Sequence, residues 1–302
     1  MPRRPLLALI AAAAALAALA FVAAPVGGQR DYPAEHVGTF VWSRGEAEFG
    51  GFSALDLAPG GREFVAATDR GILWRGTFRR DAAGIVTGVE TDGPRAIPGP
   101  GGRALRRGER DSEGIARADD GTIYISFEGI DRVSVLPADG AAPFDLPRLE
   151  AFRRLPHNKG LESLAIDPEG RILTLPEESG ARGRPFPVWR WTGTAWQQPF
   201  TLPRDGRFVP TGADFGPDGA LYLLERDFLW VLGFRTRISR FGIGPDGPGP
   251  REILLETHGP VHDNLEGISV WADAAGMIRL TLISDDNFSF LQRTEIVDYR
   301  LP

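Results

Sequence analysis

The sequence predicts an all-β protein, a single β-propeller built from four-stranded blades. Three observations carry the prediction. A strand–turn–strand unit recurs five times along the chain. The chain's 38 glycines and 25 prolines suit a fold with many tight turns rather than long helices. Finally, HVGTFVWS near residues 36–43 and EIVDYRLP at the C-terminus are placed to complete one sheet and close a ring.

Taken from the N-terminus, residues 1–28 read as a secretory signal peptide, with the propeller over 35–302. Pro2, Arg3 and Arg4 precede an apolar run from Leu6 to Pro25 with a small-residue boundary, and cleavage is expected between Ala23 and Gln29. The alternative is a retained membrane anchor, because the run approaches the ~20 residues that span a bilayer. With the leader cleaved, the protein is expected to be periplasmic or secreted, with no stable membrane insertion. Loss of Arg3 and Arg4 takes the formal charge from −6 to −8. The acidic balance, without any basic run, argues against a nucleic-acid partner; the expected state is a monomer and the expected partner a small-molecule ester. There is no cysteine, so disulfides, zinc–thiolate sites and cysteine nucleophiles are excluded.

The repeat organises everything that follows. Residues 53–61 (SALDLAPGG), 113–121 (EGIARADDG), 162–170 (ESLAIDPEG) and 211–219 (TGADFGPDG) share one grammar, and EGISVW at 266–271 opens a fifth unit with a longer turn to Gly276. Each is a short strand and a turn containing Asp or Gly, followed by a second apolar strand. Two more strands per unit bring the period to roughly fifty residues, the blade pattern. One sheet cannot cover both its faces, and stacked blades can. A β-sandwich is the competing architecture, but it lacks such a repeat. A degenerate sixth unit has room only between Asp81 and Arg110.

Alignment on the turn glycines produces two columns. Ser53, Glu113, Glu162, Thr211 and Glu266 precede the first strand of each unit. Asp69, Glu128, Glu177, Glu225 and Asp285 end the second strand. Neighbouring strands in a blade run antiparallel, so both columns are expected at one mouth of the channel, with Asp56, Asp214 and Asp286 adding to them. Crowded carboxylates must be protonated, paired with arginine or neutralised by a cation. An all-oxygen donor set suits a hard ion such as Ca²⁺. Arg70 and Arg226 follow column acids directly, and His157, Lys159, His258 and His262 lie on the approach to column-one glutamates. Ser53 in GGFSA lacks the following helix of a nucleophile elbow, and the GPGG of residues 99–102 is a loop rather than a phosphate cradle. Trp189, Trp191 and Trp196 read as blade packing.

Taken together, the segments GFSALDL, RDSEGIA, NKGLESLAI, PTGADFGPDGALYLLERDF and NLEGISVW…LISDDNF resemble the phytase-like domain family called "esterase-like activity of phytase", over about residues 35–302. The resemblance implies a propeller and phosphoester hydrolysis, with recurring acids as the active groups. Here these fall on Glu113, Glu162, Asp214, Glu225, Glu266, Asp285 and Asp286.

The expected function is therefore an exported, metal-assisted phosphoesterase-like hydrolase. Glu113, Glu162, Glu225, Glu266 and Asp285 are its expected catalytic groups. Glu113, Glu162, Asp214, Glu266 and Asp286 are the expected Ca²⁺ ligands, and Arg70, Arg226, Lys159, His157 and His262 the substrate contacts. The alternatives are a calcium-dependent lactonase or carboxylesterase, and a non-catalytic binding propeller with a structural ion.

Overall fold

A computed structural model describes residues 32–230 and 233–302. The leader lies outside the described residues. No helix among them is long and apolar enough to cross a membrane.

Alternation and turn chemistry produce five antiparallel four-stranded sheets, each one blade. Blade one holds β2 (Phe52–Leu57), β3 (Glu63–Thr68), β4 (Ile72–Arg80) and β5 (Val86–Ala96). Blade two holds β6 (Ser112–Arg117), β7 (Ile123–Phe127), β8 (Arg132–Leu136) and β9 (Phe144–Asp145). Blade three holds β10 (Leu161–Ile166), β11 (Ile172–Pro176), β12 (Phe186–Trp191) and β13 (Trp196–Leu202). Blade four holds β14 (Val209–Phe215), β15 (Leu221–Phe228), β16 (Phe234–Phe241) and β19 (Glu252–Glu256). A small hairpin, β17 (Ile243–Gly244) with β18 (Gly247–Pro248), precedes β19. Blade five holds β20 (Asn264–Ala272), β21 (Ile278–Asp285) and β22 (Thr294–Arg300), and β1 (Glu35–Trp42) completes it. The stretch from Asp81 to Arg110 forms no sixth blade; it supplies β5 and two 3₁₀ turns.

The ring closes as the two chain ends suggest: β1 pairs with β22 from Glu35↔Arg300 to Trp42↔Thr294. The core is divided among the blade interfaces. Ala54, Val65 and Leu73 of blade one meet Ile115, Ile125 and Phe127 of blade two, for example. At the closing interface, Trp42 of β1 packs with Phe52, Phe64 and Trp74 of blade one and with Trp271, Ile283 and Ile296 of blade five. Trp42 is 3% exposed, so truncating it leaves a large void at the seam. Trp42→Ala is expected to cost about 3–5 kcal/mol, seen as a melting-temperature drop on the order of 10 °C in a thermal scan.

One local irregularity shapes the mouth. Each innermost strand has a β-bulge at the same place, between Phe52 and Ala54, Ser112 and Gly114, Leu161 and Ser163, Pro210 and Gly212, and Leu265 and Gly267. The extra residue in each is the column-one residue. A bulge re-aims a side chain, and the residue after it must be small. A Cβ on Gly212 would lie 2.5 Å from the Glu266 carbonyl, and one on Gly267 would lie 2.8 Å from the Leu55 amide. The innermost strands of neighbouring blades therefore touch around the axis. The cavity there, lined by Ser53, Glu113, Gly114, Gly212, Glu266 and Gly267, holds only about 10 Å³.

Candidate functional site

The bulges aim Glu113, Glu162 and Glu266 toward one another at the mouth, and burial with mutual repulsion governs their protonation. Burial raises Glu113 well above the usual carboxylate range, with the charges of Glu162 and Glu266 adding to it. Glu162 is raised likewise, by burial and then by Glu177. Burial also raises Glu266, against the opposing pull of Arg226. The other two members of the column are hydroxyls with a structural task. Ser53 donates to the Ser112 carbonyl and Thr211 to the Leu265 carbonyl, each reaching the next blade. Ser53 is 2% exposed.

The second column is corrected by the strand register. Gly51, Asp111 and Gly160 accept from the amides of Asp69, Glu128 and Glu177, and Asn264 pairs with Asp285. In blade four the corresponding pair is Val209 with Arg226. The column therefore reads Asp69, Glu128, Glu177, Arg226, Asp285, and Glu225 is one residue out of step. Successive strand residues face opposite sides, so Glu225 points into the blade instead of the channel. It is fully buried, accepts from Ser239 Oγ at 2.7 Å and lies 3.4 Å from Arg251.

Arg226 sits among acids. Its guanidinium contacts Glu266 directly and lies 3.5 Å from Glu177 and 3.8 Å from Glu162. It also donates to Asn264 Oδ1 at 3.2 Å. Burial opposes its charge, and the carboxylates more than offset that, raising its pKa.

A second group lies across the mouth. Asp111, Glu113 and Glu128 each offer a carboxylate oxygen within 4.8 Å of the others. Asp111 was not legible as a candidate in the repeat alignment, although a signal was there. It stands two residues before the column-one position, opposite a column-two acid, where the other units have Gly51, Gly160, Val209 and Asn264. Burial pushes Glu128 and nearby Asp69 up to about 7 each, and Asp285 up to about 8, with Glu266 adding to the last. Asp69 Oδ1 is buried with no hydrogen-bond partner. An all-oxygen set of carboxylates whose pKa values burial raises, with the unpartnered Asp69 oxygen nearby, fits a hard divalent cation.

Other expected site residues go elsewhere. Asp214 lies three residues along β14 from the bulge, toward the far end of the channel. There it accepts from the Val270 amide at 2.7 Å, and burial, then the charge of Asp56, raises it to about 8. Asp56 binds Arg117 of the next blade. Both aspartates tie blades together and do not join the mouth. Asp286 is engaged by the amides of Gly51 and Phe288 and by Thr294 Oγ1, which makes it a strap between blades five and one. His262 is tucked beside the outer strands of blade five, bonded to the Tyr299 hydroxyl at 2.6 Å and pushed down to about 4 by burial.

The remaining cations do gather at the mouth. A cavity of about 470 Å³ has Arg70, Arg107, Arg110 and His157 beside Asp69, Asp111 and Glu128. A second, of about 590 Å³, is lined by Lys159, Arg182, Arg204, Arg207 and Arg226 with Glu177 and Glu178. The chain has no basic run, yet folding concentrates basic side chains around an acidic centre.

The family model described as "Esterase-like activity of phytase" matches residues 47–288. No curated protein matches the chain. Among solved structures, a PQQ-bound aldose sugar dehydrogenase from Streptomyces coelicolor is similar at 13% identity and TM-score 0.47, covering 89% of this chain and 99% of its own. A virginiamycin B lyase from Staphylococcus aureus is similar at 12% identity and TM-score 0.42, covering 82% and 70%. A putative gluconolactonase is similar at 14% identity and TM-score 0.42, covering 80% and 72%. Likenesses this distant carry no functional information for the chain. With five blades and a family match over most of its length, the chain belongs to the phytase-like family, a hydrolase- and esterase-like fold with a buried acidic cluster able to chelate a metal.

Proposed function

We propose that the protein is an exported, metal-assisted phosphoesterase. The observation that carries this reading is that Asp111 and Glu128, which with Glu113 form one carboxylate group, line a cavity together with Arg70, Arg107, Arg110 and His157. Carboxylates that hold a cation, set beside side chains that attract an anion, suit a negatively charged ester better than a neutral one. Asp111, Glu113 and Glu128 would hold the ion, and Ca²⁺ is the proposed choice because all donors are hard oxygens. When bound, the ion supplies charge neutralisation and a more acidic water.

The chain's own residues do the rest. The rim arginines and His157 orient the anionic group over the acids. Asp69, held near 7 by burial, exchanges a proton at neutral pH and lines the same cavity, which suits it to take a proton from water. The nearly solid axis below the mouth admits substrate from one side only.

The test is metal analysis of the purified protein, followed by hydrolysis assays over phosphomonoesters, phosphodiesters, carboxylesters and lactones with chelator and with calcium. Calcium-dependent turnover of phosphoesters is the expected result. Turnover of lactones or carboxylesters alone would replace the substrate assignment. A bound ion with no turnover of any ester would leave a binding propeller instead.

A further inference from the structure

In the four blades other than blade four, backbone pairing places a carboxylate at or directly after the end of the second strand, as Asp69, Glu128, Glu177 and Asp285. Blade four places Arg226 there, and its column-one residue is Thr211 rather than a glutamate. The one blade without a mouth carboxylate in either column thus contributes a cation, and that cation reaches across to the acids of its two neighbours. Glu162 and Glu177 belong to blade three, Glu266 to blade five, and all three are ion-paired to it. Asn264 steadies the arrangement. Its Oδ1 accepts from Arg226 Nη1 at 3.2 Å, and its Nδ2 donates to Glu266 Oε1 at 2.7 Å.

We propose that Arg226 is a built-in counter-ion that fills the place of a second cation between Glu162, Glu177 and Glu266. It thereby limits the mouth to one exchangeable metal ion, at Asp111, Glu113 and Glu128. Glu162 and Glu266 are 5% and 7% exposed, and buried carboxylates without a counter-charge are strongly destabilising. A guanidinium keeps its charge at any working pH and presents several donors in a planar fork, so it can serve several carboxylates at once. Being covalently attached, it cannot be removed by a chelator. Arg226 is accordingly a positioning residue: it holds the Glu162 side of the mouth rigid and is not free to bind substrate.

The limit of one ion rests on the metal reading above, but the two statements fail differently. The experiment strips metal from the full chain and measures calcium stoichiometry by titration calorimetry and by elemental analysis, for wild type, Arg226→Lys, Arg226→Gln and Arg226→Glu. Wild type and Arg226→Lys are expected to bind one ion, and Arg226→Gln and Arg226→Glu two. The latter pair should also show a lower melting temperature without calcium and a larger rise with it than wild type. If wild type binds none and Arg226→Glu binds one, the counter-ion role stands and the Asp111–Glu113–Glu128 metal reading falls. If Arg226→Gln and Arg226→Glu bind no more than wild type, or if wild type already binds two, the counter-ion role is overturned. Variants that fail to fold both with and without calcium, while Arg226→Lys folds, overturn it too. A free ion could not then do what the guanidinium does.

Discussion

Glu113→Gln is expected to abolish calcium binding and to lower calcium-dependent ester hydrolysis by at least ~100-fold, because removing even an outer-shell partner of a metal site costs 10–100-fold. Its effect on stability should have the opposite sign. Glu113 is raised well above the usual range by burial and by the charges of Glu162 and Glu266. A neutral isostere removes that repulsion without changing shape. The metal-free variant is therefore expected to melt at or above the wild-type temperature, while the calcium-induced rise disappears. Differential scanning calorimetry with chelator and with calcium, run beside the activity assay, checks both signs. Glu225→Gln is the matched control. It neutralises a carboxylate outside the mouth and leaves Arg251 without its partner, so calcium binding should persist while stability falls. A calcium response in Glu113→Gln equal to that of wild type would remove Glu113 from the metal group.

The second large effect is pH dependence of the metal-free fold. Asp69 and Glu128 are raised to about 7 and Asp285 to about 8, burial being the leading cause in each. Their ordinary values are 3.8 for Asp and 4.5 for Glu. A carboxyl group raised in the folded state holds a proton that the unfolded chain has released. Stability therefore falls as pH rises from the unfolded values through the folded ones, the reverse of the usual aspartate in a salt bridge. The chelated protein is expected to melt roughly 5–10 °C lower at about pH 8 than at about pH 5. Calcium favours the ionised form of its ligands, so it should raise the melting temperature most at the alkaline end. Asp214, raised to about 8 at the far end of the channel, adds to the slope but not to the calcium response. Asp214→Asn should thus flatten the profile and leave the calcium-induced rise intact. A chelated protein whose melting temperature rises between those two pH values would mean that the mouth carboxylates are ionised and already compensated.

Much of the fold was legible because it rests on local rules. Asp-Gly and Pro-Gly turns, apolar strands and a fifty-residue period survive in one dimension, and the closing strand announced itself by its place at the chain end. Glu113, Glu162 and Glu266 were legible for the same reason: each occupies the same step of a copied unit. Glu225 misled because it and Arg226 are adjacent, and alignment on turn glycines leaves an uncertainty of one residue. In a strand, one residue is the difference between facing the channel and facing the next sheet. Asp214 and His262 misled because nearness in sequence to a mouth residue says nothing about which end of a strand, or which side of a blade, a side chain reaches. The rim arginines were invisible as a group because loops from separate blades supply them.

The sequence alone determined the repeat, the strands and turns, the ring closure and the recurrence of acids, since each depends on neighbours within a few residues. Tertiary structure alone decided which acids share a cavity, that Arg226 takes the fourth place in the second column, and that Asp111 completes a carboxylate group able to hold a metal. Those outcomes depend on bulges and register, which rotate side chains by whole faces, and on burial, which sets how strongly charges brought from distant blades act on one another.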